Sequence, residues 1–203
     1  MASPGGSGPP GSPPPGNVAK EGKRRRRPVH RWQGYTLIEL ILGLGLVATT
    51  LAWGVPSFGA LARDAARTRE VNQFAQAVYL ARSEAIKRNG VVSLCPSRNG
   101  TTCTPSVQWT TGWLIFVNLD RDSPAARDAD EPLLRVYEPW DAGHITSNRS
   151  TLSFRPFGQM GVTATVTFCD DRGARAARAV IISQTGRPRI SSRSASGGPL
   201  VCT

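Results

Sequence analysis

The feature that most constrains this chain is an uninterrupted apolar segment with one carboxylate at its threshold. From residue 40 to residue 62 nothing is charged, and Leu40–Phe58 reads Leu-Ile-Leu-Gly-Leu-Gly-Leu-Val-Ala-Thr-Thr-Leu-Ala-Trp-Gly-Val-Pro-Ser-Phe. A helix needs about 20 such residues to cross a bilayer, so this segment is expected to span one. A secretory signal peptide has a shorter apolar stretch followed by a small-residue cut site. Neither Leu51-Ala52-Trp53 nor Gly59-Ala60-Leu61 resembles such a site.

What precedes the segment sets its orientation. Residues 1–17 are nearly all Gly, Pro and Ser, a composition that buries no apolar surface and is expected to be disordered. Lys20, Lys23, Arg24, Arg25, Arg26, Arg27 and Arg31 follow, opposed only by Glu21, so this leader holds more than half of the net charge of +11. A basic run can be a nucleic-acid patch. Directly before an apolar span it reads as the signal that keeps this end cytoplasmic.

Glu39 is the anomaly. A carboxylate carried to the bilayer centre costs on the order of 2.5–3.5 kcal/mol on insertion scales, so it calls for a partner. Cleavage after Gly34 would create one, a free α-amine on Tyr35, able to pair with Glu39 of a neighbouring helix. The run Gly34-Tyr35-Thr36-Leu37-Ile38-Glu39-Leu40 resembles the processing motif of the type IV pilin and pseudopilin superfamily, with Tyr35 where Phe is commonest. That resemblance implies cleavage after Gly34 by the prepilin peptidase, N-methylation of Tyr35, filament assembly through Glu39 and a helix kink at Pro56. The family's leaders are shorter than 34 residues, which a start of translation at Val18 or Val29 would reconcile.

Past Pro56 a helical period continues. Val71, Phe74, Ala75, Val78, Arg82, Ala85 and Ile86 recur at spacings of three and four, while Arg63, Arg67, Arg69, Glu70, Gln73, Gln76, Glu84 and Lys87 fill the other faces. Asn89-Gly90 is the stop signal. Strand patterns follow at Val91–Leu94, Gly112–Val117, Leu133–Tyr137, Leu152–Arg155, Ala164–Phe168, Arg178–Ile182 and Arg189–Ser191. The expected fold is α+β: a long N-terminal helix, transmembrane in its first half, packed on a C-terminal antiparallel β-sheet head. The expected divisions are a leader at 1–34, a transmembrane or filament-core helix at 35–62, its amphipathic second half at 63–89, and a periplasmic head at 90–203.

Cys95, Cys103, Cys169 and Cys202 all follow the span, which places them in an oxidising periplasm. Four cysteines permit three pairings. Cys95–Cys103, closing a local loop, with Cys169–Cys202, pinning the tail, is the favoured one. A zinc site lacks a Cys-x-x-Cys pair, and His144 stands alone in an expected surface loop.

Little points to catalysis. Nothing marks a Ser/His/Asp arrangement or a phosphate-binding glycine loop. The acidic stretch from Asn118 to Asp122 and from Asp128 to Glu131 lacks the spacing of a calcium loop and reads as a solvated connection. No enzyme, cofactor or metal is expected.

Ala81–Arg88, Trp113–Phe116, Leu133–Val136 and the stretch from Phe168-Cys169 through Arg189 resemble the GspH/FimT branch of minor pilins and pseudopilins over most of residues 34–203. The implied partners are other major and minor pilins or pseudopilins, the prepilin peptidase and the inner membrane. After Asp171 the chain has no acid but carries Arg172, Arg175, Arg178, Arg187, Arg189 and Arg193. Gly186-Arg187-Pro188-Arg189 places two guanidinium forks around a stiff proline, a spacing suited to successive phosphates. It resembles the DNA-binding motif of FimT-type minor pilins linked to natural transformation. The implied DNA contacts are Arg187 and Arg189, with Arg193 and Arg178 flanking. The alternative is a structural minor pseudopilin H of type II secretion.

Overall fold

The computed structural model describes residues 34–202; the side chains of residues 55–57 are not described. The expected disorder of the leader and the expected bend at Pro56 therefore lie outside the described residues and side chains. Two compact units are defined, one ending at Gly45 and one running from Leu46.

The helix α1 (Leu37–Arg88) begins at a local cap. The Thr36 hydroxyl accepts the Glu39 amide at 3.3 Å, and the Thr36 carbonyl accepts the Leu40 amide at 3.1 Å. Thr-Leu-Ile-Glu thus works as an N-cap with an acid in the first turn, where it opposes the positive end of the helix dipole. The helix ends as Asn89-Gly90 predicts. Asn89 takes φ 49°, and the amides of Gly90 and Asn89 return to the carbonyls of Ala85 and Ile86.

Two four-stranded antiparallel sheets follow. In the first, β1 (Val91–Pro96), β2 (Trp113–Asn118), β3 (Leu133–Tyr137) and β5 (Leu152–Phe154) lie in the order β3-β2-β1-β5. In the second, β4 (His144–Ser147), β6 (Ala164–Cys169), β7 (Arg178–Ile182) and β8 (Pro188–Ser191) lie in the order β4-β6-β7-β8. The sequence reading missed β4 and put His144 in a surface loop. His144 instead opens β4, pairs with Cys169 and is half-buried. Four residues carry too short an alternation to stand out from a loop.

The second half of α1 and both sheets share one core. The Phe74 ring meets Trp113 edge-on at 5.3 Å, and Trp109 and Phe168 each at 5.7 Å. Such pairs add roughly 0.5–1.5 kcal/mol each beyond their buried area. Ala77, Ala81 and Ala85 recur every four residues on the buried face, and their small side chains let the sheets approach the helix backbone. The expected stripe is corrected in two places: Ala81 is buried where Arg82 was expected, and Ile86 is largely exposed.

The larger correction concerns charge. Arg67 and Glu70, assigned to outer faces, are each only 4 % exposed. Arg67 reaches Asp170, just after β6, at 3.3 Å and Asp64 at 2.6 Å. Arg172 joins the same acids, at 2.9 Å from Asp64 and 2.5 Å from Asp170. Hydrogen bonds from Arg172 hold the Asp170 and Asp64 carboxyls below the usual range. This network lets a guanidinium sit in the interface between helix and sheet. Glu70 has no such partner, and burial pushes its carboxyl up.

Candidate functional site

The β7–β8 hairpin carries the arginine motif, and its shape follows from local chemistry. The Gly186 amide donates to the Ser183 carbonyl at 2.9 Å, and the Ser183 amide to the Arg187 carbonyl at 3.1 Å. Gly186 takes φ 74°. A tight turn followed by a left-handed glycine is a common three-residue hairpin connection. Gly186 is required a second time, because a Cβ there would collide with the carbonyl oxygen of Gly158. Gly158 in turn rests on α1: its carbonyl accepts from Arg82 Nε at 3.0 Å, and a Cβ on it would meet Arg82 and Ile86. The hairpin tip is thereby seated through the turn at 155–158 onto the helix. This contact gives the half-buried Arg82 guanidinium a backbone acceptor.

Pairing puts Arg189 opposite Ile181 and Ile190 opposite Val180. Residues alternate across a strand, so Arg189 shares a face with Ala179 and Ile181, away from the main core. On that face Leu200 and Cys202 pack against Cys169, Ala179 and Ile181. Arg187 and Arg189 are exposed and make no side-chain hydrogen bond or ion pair to any described residue.

The flanking arginines are placed differently. Arg193 is exposed, and its guanidinium donates to the Gly197 carbonyl at 3.1 Å. Arg178 pairs with Phe168 at the far end of β7 and is half-buried, with its guanidinium on the carbonyls of Ala177 and Ala176. It lies on the opposite face from Arg189, so the structure does not bring it to the motif. Arg172 is spent on Asp170 and Asp64. Of the arginines after Asp171, only some are available to a ligand, and spacing alone could not sort them.

The cysteines pair as favoured, Cys95 with Cys103 and Cys169 with Cys202. The second bond fixes the tail over the outer face of β6 and β7. His144 lies close to Cys169 and Cys202, within 4.8 Å between their potential ligand atoms. Those two sulfurs are bonded to each other. The acidic connection is less solvated than expected. Glu131 is buried and accepts the amides of Leu119 and Asp128, while Asp122 accepts from Asn118 and Ala126. These carboxylates build the loop by satisfying its backbone.

At the other end, Tyr35 is 83 % exposed, and Leu37, Leu44, Leu46, Leu51, Trp53 and Leu61 are also open. A helix apolar on all its faces needs an apolar environment. α1 is the one described helix long and apolar enough to cross a membrane.

Comparison with known proteins agrees with this architecture. The family model described as type II transport protein GspH matches residues 70–186. The pilin-like protein PilA1 of Thermus thermophilus is 32 % identical over 168 residues, covering 78 % of this chain and 97 % of that protein. The crystal structure of the type IV minor pilin FimU of Pseudomonas aeruginosa superposes with a TM-score of 0.51 at 20 % identity, over 67 % of this chain and 99 % of that one. At that identity the likeness speaks to the fold, which is the pilin fold of a long N-terminal helix on an antiparallel head. Helix, head and matched length together place the chain in the GspH family of type IV minor pilins and pseudopilins.

Proposed function

We propose that this chain is a minor pilin, non-enzymatic, that enters a type IV filament and captures DNA through Arg187 and Arg189 for uptake in natural transformation. The carrying observation is that both guanidinium groups are exposed around Pro188 on a seated hairpin, with no partner among the described residues. Phosphate contacts of this kind position a duplex without reading its sequence. In this reading the prepilin peptidase cuts after Gly34 and Tyr35 is N-methylated. The apolar helix waits in the inner membrane with the head in the periplasm. Glu39 then pairs with a neighbour's new amine as the filament assembles.

The test measures duplex DNA binding by the full-length protein in detergent micelles at rising salt. Arg187→Ala with Arg189→Ala is expected to weaken binding and to lower the slope of log affinity against log salt by about 1.8, or ~0.9 per lost phosphate. No affinity in the unaltered protein at low salt, or an unchanged slope in the variant, overturns the reading. The matching family model carries a type II transport name, which favours a second reading as a structural pseudopilin of protein secretion. Deletion of the gene separates the two. Loss of transformation with intact secretion supports the first, and the converse supports the second.

A further inference from the structure

Beside the hairpin lies a groove of about 640 Å³ whose lining includes Arg121, Arg149 and Arg155. Its one lining acid, Asp122, has its carboxylate oxygens engaged by the Asn118 side chain and the Ala126 amide. The Arg121 and Arg155 guanidinium groups have no hydrogen bond or ion pair to a described residue, and Arg149 uses only its Nε, on the Thr163 carbonyl at 3.4 Å. Three guanidinium forks around one cavity, with the local acid already spent, make a site for anionic oxygens.

The groove joins the hairpin through backbone contacts. Met160 lines it, and the amides of Met160 and Gly161 donate to the Gln184 carbonyl in the hairpin loop at 3.0 and 3.2 Å. The Arg155 guanidinium lies against Gly161. Between groove and hairpin stands the turn Arg155-Pro156-Phe157-Gly158, closed by the Gly158 amide on the Arg155 carbonyl at 2.7 Å. Phe157, at its tip, is 82 % exposed. Pro156 fixes the turn and Gly158 is pressed against α1 and Gly186, so Phe157 is held on a rigid support that needs no packing from its ring.

We infer that the groove and Phe157 form a second nucleic-acid site, which takes a single strand whose phosphates lie on Arg121 and Arg155 while a base stacks on Phe157. Stacking needs an unpaired base, and an aromatic set between cationic clusters is the arrangement that binds single strands without sequence preference. The inference rests on the DNA reading of the hairpin, and assigns to it the strand state of the ligand at this second position.

The experiment compares three probes of equal length on the full-length protein in micelles: a single-stranded oligonucleotide, the same strand with abasic sugars, and the duplex. Phe157→Ala is expected to weaken the ordinary single strand roughly 5- to 150-fold, the range for one lost base stack, and to leave the abasic strand and the duplex unchanged. Arg121→Asn with Arg155→Ala is expected to lower the salt slope for the single strand by about 1.4. Asn is chosen because Arg121 has φ 62°, which Asn tolerates. If the duplex still depends on Arg187 and Arg189 but none of these variants alters single-strand binding, the second site is overturned while the hairpin reading stands. If the unaltered protein binds no nucleic acid, both fall.

Discussion

Gly186 and Gly158 meet backbone to backbone, so close that a Cβ on the first would clash with the carbonyl oxygen of the second. This contact fixes how the hairpin tip meets the 155–158 turn, because no larger residue fits at position 186. Gly186→Ala must therefore open the contact and also hold alanine at φ 74°. A cost of about 2 kcal/mol or more is expected, from left-handed strain together with the clash. Thermal unfolding of the head reads the first effect. DNA titration reads the second, since affinity is expected to fall although Arg187 and Arg189 both remain.

The buried ion network gives a stability signature in acid. The folded-state carboxyl of Asp170 lies below its usual value, held down first by the Arg172 hydrogen bond. A depressed acid stabilises above its unfolded pKa of about 3.9 and loses that contribution as pH falls through the folded value. In a Glu70→Gln background, which removes the opposing contribution of that burial-raised carboxyl, the melting temperature is expected to be steady from neutral pH to about 5 and to drop below 4. Asp170→Ala leaves Arg67 buried and short of one partner, at a cost of roughly 3–5 kcal/mol at neutral pH. The gap between variant and unaltered protein should narrow in acid, and a gap independent of pH would contradict the assignment.

The two disulfides close loops of different size. Their sequence separations are 8 for Cys95–Cys103 and 33 for Cys169–Cys202. Loop-closure entropy gives about 2.5 and about 3.7 kcal/mol respectively. Replacing both cysteines of a pair with alanine should therefore cost more at the tail than at the local loop. Denaturant midpoints of the two double variants check the order. Loss of the tail bond is also expected to expose Ile181 and Ala179 beside Arg189.

Glu39 has a local role and a proposed assembly role, which two substitutions separate. Thr36→Ala removes the cap that receives the Glu39 amide, a loss of about 0.5–2 kcal/mol at the helix start, and leaves the carboxylate in place. Glu39→Ala keeps the cap and deletes the acid. If Glu39 pairs with a neighbour's amine, the second variant is processed after Gly34 but absent from sheared filaments, whereas the first is still incorporated. Immunoblots of the membrane and sheared fractions distinguish these outcomes.

Much of this fold was legible because its signals are local. Seven of the eight strands stood out by alternation and turn residues, and Asn89-Gly90 ended the helix where it should. β4 was missed because its pattern in His144–Ser147 is short and it is held chiefly by pairing with β6, a partner distant in sequence. Arg67 was misplaced for a related reason. Helical period assigns a charged residue to the outside unless an opposite charge waits inside, and Asp170 stands 103 residues away from Arg67.

The sequence by itself determined the class of molecule. The Gly34–Leu40 run, an acid at the edge of an apolar span and a capped helix start are all read within a few consecutive residues, where covalent spacing enforces the geometry. Only the tertiary structure decided which arginines are free. Arg172 is tied into the helix–sheet network, Arg178 is folded onto backbone carbonyls, and Arg187 and Arg189 are held out on a tip wedged by two glycines. The same packing set Phe157 and the Arg121–Arg155 groove beside that tip. Charge along a chain is additive, but availability to a ligand depends on which neighbours folding brings within reach.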